Sequence, residues 1–252
     1  MFSFEGKVVW VTGSSTGIGR AIAVKFAECG ADVVVHGNSN AAEAEITLKE
    51  VQDKGAKAHL VIGDVTDRKQ VDGMVEEIKI KFGRIDVLIN NAGTMVQRAR
   101  IEDLEIETLE KIININFTSV FHVTQAVLPL MKTHGQGNII NMTSIAARNG
   151  GGGGAVAYAA AKGAVSTFTR GLAKELAGNN IRVNGIAPGI ITTPFHDRYS
   201  TPELRKAMAS QVPLGREGTP EEIAGTAVYL ASDIAGYITG EIIEVNGGLL
   251  TD

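Results

Sequence analysis

Short, uninterrupted apolar runs alternate with longer amphipathic segments along the chain. The run Val8-Val9-Trp10-Val11 contains no polar position, which is typical of a parallel strand that is buried on both faces. The segment Ile18–Glu28 instead repeats apolar residues at helical spacing, with Ile22 and Phe26 on one side. Gly30 follows as a stop signal. This change of period from strand to helix predicts a strand–helix unit.

The same alternation continues through the rest of the chain. Strands are predicted at Lys7–Thr12, Asp32–Val35, Ala58–Ile62, Asp86–Ile89, Asn138–Asn141, Ile181–Ile186 and Ile242–Val245. Helices are predicted at Ile18–Glu28, Ala41–Lys54, Asp67–Phe82, Leu104–Met131 with room for an interruption, Tyr158–Ala177 and Glu221–Ala231. This order indicates an α/β fold with a doubly wound, mostly parallel sheet of about seven strands and helices on both faces, as in Rossmann-type proteins. No linker or repeat divides the sequence, so we expect residues 1–252 to form a single domain.

Composition narrows the classes of function. The chain has 252 residues, of which 44% are hydrophobic and 21% charged, and such a chain can bury a substantial core. The formal net charge is −4 and the basic residues are scattered, so we expect no nucleic-acid partner. The single cysteine, Cys29, excludes an intramolecular disulfide and a cysteine-rich metal site. No apolar run reaches signal or membrane-spanning length, and we therefore expect a cytoplasmic protein with no membrane partner.

A glycine-rich turn follows the first strand and opens the first helix. The stretch is Thr12-Gly13-Ser14-Ser15-Thr16-Gly17-Ile18-Gly19. Glycines at such a joint allow a tight turn and let bare backbone approach a pyrophosphate, while the helix N-terminus offers free N–H groups. Three residues lie between the first two glycines, which is a wider spacing than in the common dinucleotide pattern, and a plain turn is the alternative interpretation.

Polar residues follow the third and fourth strands. Asp64 follows the third strand, and Asn90-Asn91-Ala92-Gly93 follows the fourth. Because the carboxyl ends of the strands border the ligand crevice in a doubly wound sheet, both segments are expected at the same site. We expect Asp64 to meet the adenine of a bound dinucleotide, and the alternative is that it caps the turn at Val65-Thr66-Asp67.

A possible proton-transfer group lies more than a hundred residues further on. Tyr158 and Lys162 are four residues apart in an alanine-rich segment, so on a helix they share one face. A phenol is a poor acid or base at neutral pH, and a cation one turn away favours the phenolate and lowers its pKa. Ser144 follows a strand and can bond a substrate oxygen. Asn116 lies in an apolar helical segment, where a water that bridges to Lys162 would satisfy its amide.

In this order and over essentially the whole chain, these motifs resemble the short-chain dehydrogenase/reductase family in its compact form. Pro188-Gly189 with Thr193 and the stretch from Gly215 to Gly248 extend the likeness. The resemblance implies a single dinucleotide-binding and catalytic domain that transfers hydride between a nicotinamide and a small carbonyl or alcohol substrate. It also implies a homotetramer, with the helices around Asn116 and Tyr158 at subunit contacts, and no metal.

The resemblance also implies roles for individual residues. Tyr158 is the acid/base, Lys162 lowers its pKa and holds the nicotinamide ribose, Ser144 orients the substrate, and Asn116 anchors a proton-relay water. Ile191 and Thr193 contact the carboxamide. The implied cofactor-binding set is Gly13, Ser15, Thr16, Gly17, Ile18, Gly19, Asp64, Val65, Asn90, Ala92, Gly93, Tyr158, Lys162, Pro188, Gly189, Ile191 and Thr193.

The residues after the second strand favour NADP over NAD. An acid often stands there when NAD is preferred, because a carboxylate accepts from the ribose hydroxyls and repels a 2′-phosphate. Here no acid occurs before Glu43, and His36, Asn38 and Ser39 can donate to a phosphate. The arginine that is usual in strong NADP binders is missing from this stretch.

Two further segments bear on the substrate. The five glycines Gly150-Gly151-Gly152-Gly153-Gly154 are expected to border it as a flexible, roomy wall, or to be slack in a surface loop. The segment Pro194–Pro213 is expected to cover it as a mobile lid. Relatives that act on carrier-borne acyl groups tend to place several cations before the fifth strand. In this chain the corresponding segment, Lys132–Gly137, has a single firm positive charge. A free ketone, sugar or polyol is therefore expected, with a carrier-linked 3-oxoacyl reductase and a non-catalytic dinucleotide sensor as alternatives.

Overall fold

Seven parallel strands form one sheet in the computed structural model, which describes residues 2–38 and 41–251. The strands are β1 Val8–Val11, β2 Asp32–Gly37, β3 Ala58–Ile62, β4 Val87–Asn90, β5 Gly137–Met142, β6 Ile181–Pro188 and β7 Ile242–Val245. Their order is β3-β2-β1-β4-β5-β6-β7, and every neighbouring pair is parallel. From β1 to β3 each new strand is added on one side of β1, and from β4 onward each is added on the other side. The switch point is therefore between β1 and β4, and a doubly wound sheet binds ligands at such a point. The predicted α/β fold with a doubly wound, Rossmann-type sheet is confirmed.

Helices cover both faces of this sheet. They are α1 Gly17–Glu28, α2 Ala41–Asp53, α3 Arg68–Phe82, α4 Ile106–Ile113, α5 Ser119–Thr133, α6 Ala146–Asn149, α7 Val156–Leu176, α8 Pro194–Tyr199, α9 Pro202–Ala209 and α10 Pro220–Ala231. Short 3₁₀ turns occupy Ile101–Asp103, Ala177–Asn179 and Asp233–Ala235. Within the ranges that the structure describes, no helix combines the length and apolar character that crossing a membrane requires.

The core consists of two layers, one on each side of the sheet. In β1, Val9 and Val11 pack with α1, α2 and α10, whereas Val8 and Trp10 pack with α3, α5 and α7. All four side chains of the strand are buried. This is the two-sided burial that the continuous apolar run predicts.

The helix predicted at Leu104–Met131 is broken into several pieces. A 3₁₀ turn precedes α4, and a π-helical turn at Asn114–Thr118 separates α4 from α5. The Asn116 side chain explains the break, because its Nδ2 donates to the carbonyl of Ile112 at 2.8 Å. That carbonyl is the acceptor that an α-helix would reserve for the N–H of Asn116 itself. Single π turns of this kind are frequent at functional sites.

Candidate active site

A cleft of about 440 Å³ opens at the carboxyl ends of the strands. It is lined by the glycine-rich turn after β1, by the segment after β4, by Tyr158 and Lys162 of α7, and by the start of α8. The structure thus brings the predicted dinucleotide turn and the predicted proton-transfer pair into one cavity, although they are far apart in sequence.

The glycine-rich turn presents bare backbone to this cleft. Thr16 precedes α1 in an extended conformation, and its side chain makes no capping hydrogen bond, so the first N–H groups of the helix are left for a ligand. A Cβ at Gly19 would lie 2.4 Å from the carbonyl oxygen of Gly13. No side chain fits at that position, and this geometry suits a pyrophosphate that must approach the backbone closely.

Asn91 holds the turn in place, a role that sequence reasoning missed. Its Nδ2 donates to the carbonyls of Thr12 and Gly13, both at 2.9 Å, and its backbone N–H donates to the Thr12 hydroxyl at 2.9 Å. The neighbouring Asn90 points away from the cleft, and its Nδ2 donates to Thr124 Oγ1 and Asn141 Oδ1. Asn90 therefore braces β4 against β5 and α5, and it does not line the cleft as a direct cofactor ligand would.

His36 also supports the turn rather than serving as a phosphate donor. Its Nδ1 accepts from the N–H of Gly13 at 2.8 Å, so Nδ1 carries no proton and Nε2 donates to the carbonyl of Gly63 at 3.0 Å. The ring is buried, and burial lowers the pKa of His36. Both ring nitrogens are occupied in the neutral tautomer, so the expectation that His36 donates to a 2′-phosphate is wrong in this structure.

The remaining residues expected at the adenosine end are placed differently. Asn38 is exposed and lines the cleft, whereas Ser39 lies outside the described residues. The carboxylate of Asp64 accepts from the N–H and the hydroxyl of Thr66, both at 2.8 Å, as the turn interpretation predicts. Val65 lines the cleft in its place, so the direct adenine contact expected of Asp64 stays a prediction.

Tyr158 and Ser144 meet inside the cleft. The Ser144 hydroxyl accepts from the N–H of Ala146 at 3.1 Å and is hydrogen-bonded to the phenol of Tyr158. Burial raises the pKa of Tyr158 to about 12, and the bond with Ser144 acts in the opposite direction. The lowering of this pKa that the sequence predicts from Lys162 is not found, and in this structure Tyr158 is a protonated phenol at neutral pH.

Lys162 lies beneath the tyrosine on the same face of α7. Its Nζ is 5.9 Å from the centroid of the Tyr158 ring and donates to the carbonyl of Met142 at 2.8 Å. Lys162 is buried, and burial lowers its pKa to about 8, so the ammonium form still dominates at neutral pH. One of its three N–H donors is occupied by Met142, which leaves others for a ligand in the cleft.

Asn116 approaches Lys162 across Gly93. A Cβ at Gly93 would lie 2.7 Å from Asn116 Oδ1 and 3.3 Å from Lys162 Nζ, so only glycine fits between the two side chains. Asn116 Nδ2 donates to the carbonyls of Thr94 and Ile112, and Oδ1 accepts from the N–H of Thr94 at 3.2 Å. Asn116 is buried behind the cleft wall and does not line it.

The rest of the predicted cofactor set lines the cleft. It comprises Gly13, Ser15, Thr16, Gly17, Ile18, Gly19, Ala92, Gly93, Pro188, Gly189, Ile191 and Thr193. Gly151 and Gly152 of the five-glycine segment line it as well. Their loop is held by backbone bonding, because the N–H of Ala99 donates to the carbonyl of Gly154 at 3.1 Å.

The residues present fit a nicotinamide dinucleotide. The described residues that line the cleft include no aspartate or glutamate, and their arginine and lysine are Arg98 and Lys162, both charged at neutral pH. A cleft with this charge and an uncapped helix N-terminus accommodates the two phosphates of such a cofactor.

Comparisons with known proteins agree with this geometry. A family model described as enoyl-(acyl carrier protein) reductase matches residues 13–250. The 3-oxoacyl-(acyl-carrier-protein) reductase FabG of Thermotoga maritima is 42% identical over 246 residues, which cover 98% of each chain. A solved 7α-hydroxysteroid dehydrogenase in complex with NADH and 7-oxo glycochenodeoxycholic acid superposes with a TM-score of 0.93 at 35% identity, covering 98% of this chain and 95% of the other. A putative NAD(P)-dependent gluconate 5-dehydrogenase from Beutenbergia cavernae, with NADP bound at low occupancy, gives a TM-score of 0.92 at 35% identity, covering 100% and 99%.

Proposed function

The chain belongs to the short-chain dehydrogenase/reductase family and is an NAD(P)-dependent oxidoreductase, and from that premise we propose that it acts on a small free ketone, sugar or polyol. The observation that carries this proposal is the meeting of Ser144, Tyr158 and Lys162 in the cleft that also contains the uncapped glycine-rich turn. A module that only binds a dinucleotide has no need of a proton-transfer pair. We further propose that residues 1–252 act as one dinucleotide-binding and catalytic domain, which the single seven-stranded sheet supports.

Tyr158 is the group that moves the proton. The nicotinamide, when bound, supplies or accepts the hydride at its C4 atom. With a pKa near 12 the phenol of Tyr158 is protonated at neutral pH, so it is ready to donate to a carbonyl oxygen as that oxygen gains negative charge. The Ser144 hydroxyl lies beside the phenol and holds the same oxygen in position. The protonated phenol therefore favours carbonyl reduction, the reaction direction in which Tyr158 acts as the acid.

Lys162 stabilises the phenolate that forms at Tyr158. Its ammonium lies 5.9 Å from the tyrosine ring and is fixed by the carbonyl of Met142. An adjacent cation in a buried site favours the charged form of the phenol, and so assists the proton transfer as it proceeds. Asn116 holds the segment around Thr94 through two hydrogen bonds and keeps the wall beside Lys162 in place. Protein carbonyls use both Nδ2 hydrogens of Asn116, so the water-anchoring role that the resemblance implies is left to the remaining acceptor capacity of its Oδ1.

A substrate panel tests the proposed substrate class. Initial rates of NADPH oxidation with small ketones, aldoses and ketoses, and of NADP reduction with polyols, should reveal turnover of at least one free compound. A 3-oxoacyl thioester on acyl carrier protein should be the poorer substrate by kcat/KM. If only the carrier-bound thioester is turned over, the proposal of a free substrate is wrong.

The carrier-linked reductase is the second candidate, and the 42% identity to the Thermotoga maritima reductase favours it. An acidic carrier needs a basic surface on the enzyme. The segment before β5 offers exposed Lys132 and exposed His134, whose Nε2 is 2.9 Å from the carbonyl of Gly83. This small basic surface is the reason to rank the carrier-bound substrate second.

We propose that the cofactor is NADP in preference to NAD. The cleft lacks a described carboxylate that would repel a 2′-phosphate, and the exposed amide of Asn38 is available to donate to one. Fluorescence titration should give a lower Kd for NADPH than for NADH. Asn38→Asp, which adds a negative charge at the same position, should weaken NADPH binding at least tenfold and leave NADH binding within threefold. A lower Kd for NADH in the unaltered protein would contradict the preference.

We propose a homotetramer in the cytoplasm. The helices α5 and α7 carry the exposed apolar side chains Phe121 and Val156, and these support subunit contacts at α5, which follows the turn with Asn116, and at α7, which holds Tyr158. Light scattering should give about four times the 26.6 kDa of the chain. Phe121→Glu should lower that mass, while a monomeric mass for the unaltered protein would contradict the assembly. Cell fractionation tests the location.

A further inference from the structure

Arg98 is a cation in the cleft that the proposed proton transfer does not use. Its Nε donates to the carbonyl of Tyr199 at 2.8 Å, and its Nη1 donates to the carbonyl of Gly153 at 2.9 Å. Both acceptors are neutral backbone groups. Among the residues that the structure describes, no carboxylate forms an ion pair with Arg98.

Arg205 of the neighbouring lid and Arg216, which follows the lid, behave differently. Arg205 is paired with Asp197 and with Glu217, and Arg216 is paired with Glu222. Their charges are compensated within the protein. The half-buried Arg98 guanidinium is not, although a partly desolvated cation is stabilised most by an anionic partner.

No lining group offsets this charge at the substrate end. The described cleft lining contains no aspartate or glutamate, and the other residue that is cationic at neutral pH is Lys162, which adjoins Tyr158. His196 also lines this end, and its pKa is lowered chiefly by burial, with Glu217 opposing the shift and the charges of Arg205 and Arg98 supporting it. His196 is therefore neutral at neutral pH and adds no charge to this end of the cleft. Arg98 is therefore the cation of this lining that is neither paired with a carboxylate nor used in the proposed proton transfer.

We propose that Arg98 binds a carboxylate of the substrate, so that this enzyme acts on an oxo acid or its hydroxy acid in preference to a neutral ketone or polyol. This inference rests on the proposed oxidoreductase function and narrows its substrate class. A guanidinium has five N–H donors, and two of those on Arg98 are used, so others are available for a two-point contact with a carboxylate.

The surroundings of Arg98 suit such a contact. The carbonyls of Tyr199 at the end of α8 and of Gly153 in the glycine loop fix the guanidinium from two sides, so little rotamer freedom is lost when an anion binds. Gly151 and Gly152 border the same end of the cleft without side chains, which leaves room for the acid. Binding of a carboxylate would strengthen the connection between the lid and the loop.

The test uses a series of oxo acids with matched neutral esters. Acetoacetate, 4-oxopentanoate and 5-oxohexanoate place the carboxylate at increasing distance from the ketone, and each is compared with its methyl ester. For the best chain length, kcat/KM with NADPH should be about a hundredfold higher for the acid than for the ester, because the ester loses the charge-assisted hydrogen bonds to the guanidinium. Arg98→Gln should reduce this acid-to-ester ratio to within a few-fold of one, and Arg98→Lys should keep part of it.

Arg100→Gln is the matched control, because Arg100 lies two residues away, is largely exposed and pairs with Glu102. It should leave the ratio unchanged. If Arg98 only connects the lid to the loop, Arg98→Gln will lower the acid and ester rates together, and an unchanged ratio would overturn the inference. Equal rates for acids and esters in the unaltered enzyme would overturn it too.

A binding measurement separates failure of this inference from failure of the proposed function. If the enzyme turns over neutral ketones without any preference for acids, only the role of Arg98 is wrong. If it turns over nothing, the increase in melting temperature caused by glutarate, relative to the neutral glutaramide, still reports on Arg98. A shift that Arg98→Gln removes supports the anion site, and the absence of such a shift overturns it.

Discussion

Replacing His36 with phenylalanine tests how the glycine-rich turn is held. The change keeps the size of the ring but removes the acceptor for the N–H of Gly13 and the donor to the carbonyl of Gly63. Each buried polar group that loses its partner costs about 1–3 kcal/mol. Gly63 is buried, whereas Gly13 is half-buried beside the cleft, where water replaces part of the lost bond. We therefore expect the free energy of unfolding to fall by about 2–4 kcal/mol at pH 8.

Because His36 is buried, the free energy of unfolding of the unaltered protein should depend on pH in a direction that can be derived. Burial lowers the pKa of His36, so the native state binds this proton less readily than the unfolded chain, in which the pKa is about 6.5. The stabilisation is fully present above that value and is lost as the pH falls through the lower native pKa. His36→Phe should lack this contribution, so the difference in stability between the two proteins should narrow as the pH falls below about 6.5.

Urea denaturation at pH 8 and pH 5.5, together with fluorescence titration of NADPH, measures both effects. The Kd for NADPH should rise at least tenfold, because the N–H groups of the turn lose their fixed direction. His59→Phe is the control, since His59 is less buried and contacts Glu77 near the surface, and it should change the stability by less than about 0.5 kcal/mol. A His36→Phe variant with unaltered stability and NADPH affinity at pH 8 would refute the reasoning.

Three further predictions use other parts of the structure. Gly19→Ala, whose methyl group would lie 2.4 Å from a backbone oxygen, should weaken NADPH binding at least tenfold, whereas Gly73→Ala meets nothing within 4 Å and should leave the Kd unchanged. Asp86→Asn removes the buried charge that pairs with Arg84, and the free energy of unfolding in urea should fall by about 2 kcal/mol; an unaltered value would show that the pair contributes nothing. Because the pKa of Lys162 is lowered to about 8, kcat/KM for carbonyl reduction should be level below that pH and fall above it, and a profile that stays level to pH 10 would argue against a charged Lys162.

Much of the fold follows from local patterns. A strand that is buried on both faces requires a continuous apolar run, and Val8–Val11 meets that requirement. The shared cleft follows as well, because parallel strands bring all their carboxyl ends to one edge. The topology of the sheet thus brings the glycine-rich turn after β1 and Tyr158 to the same cleft.

The parts that could not be predicted depend on contacts between distant segments. The π turn at Asn114–Thr118 follows from one side-chain hydrogen bond, and helical periodicity contains no sign of it. The role of His36 depends on Gly13 and Gly63, which reach it from two other strand ends. Burial of Tyr158, which raises its pKa despite the hydrogen bond with Ser144, likewise results from tertiary packing.

Turnover by a Tyr158→Phe variant tests the central claim most directly. NADPH oxidation would be followed with the best free carbonyl substrate, and NADPH binding would be titrated in parallel, with Tyr237→Phe as a control because Tyr237 is fully exposed. We expect Tyr158→Phe to bind NADPH but to lose about 10²–10⁴-fold in kcat, as the loss of a general acid predicts, while the control keeps its activity. A variant that retains the activity of the unaltered enzyme would contradict the assignment of Tyr158 as the acid. An unaltered protein that binds NADPH but turns over no substrate would instead be a dinucleotide sensor.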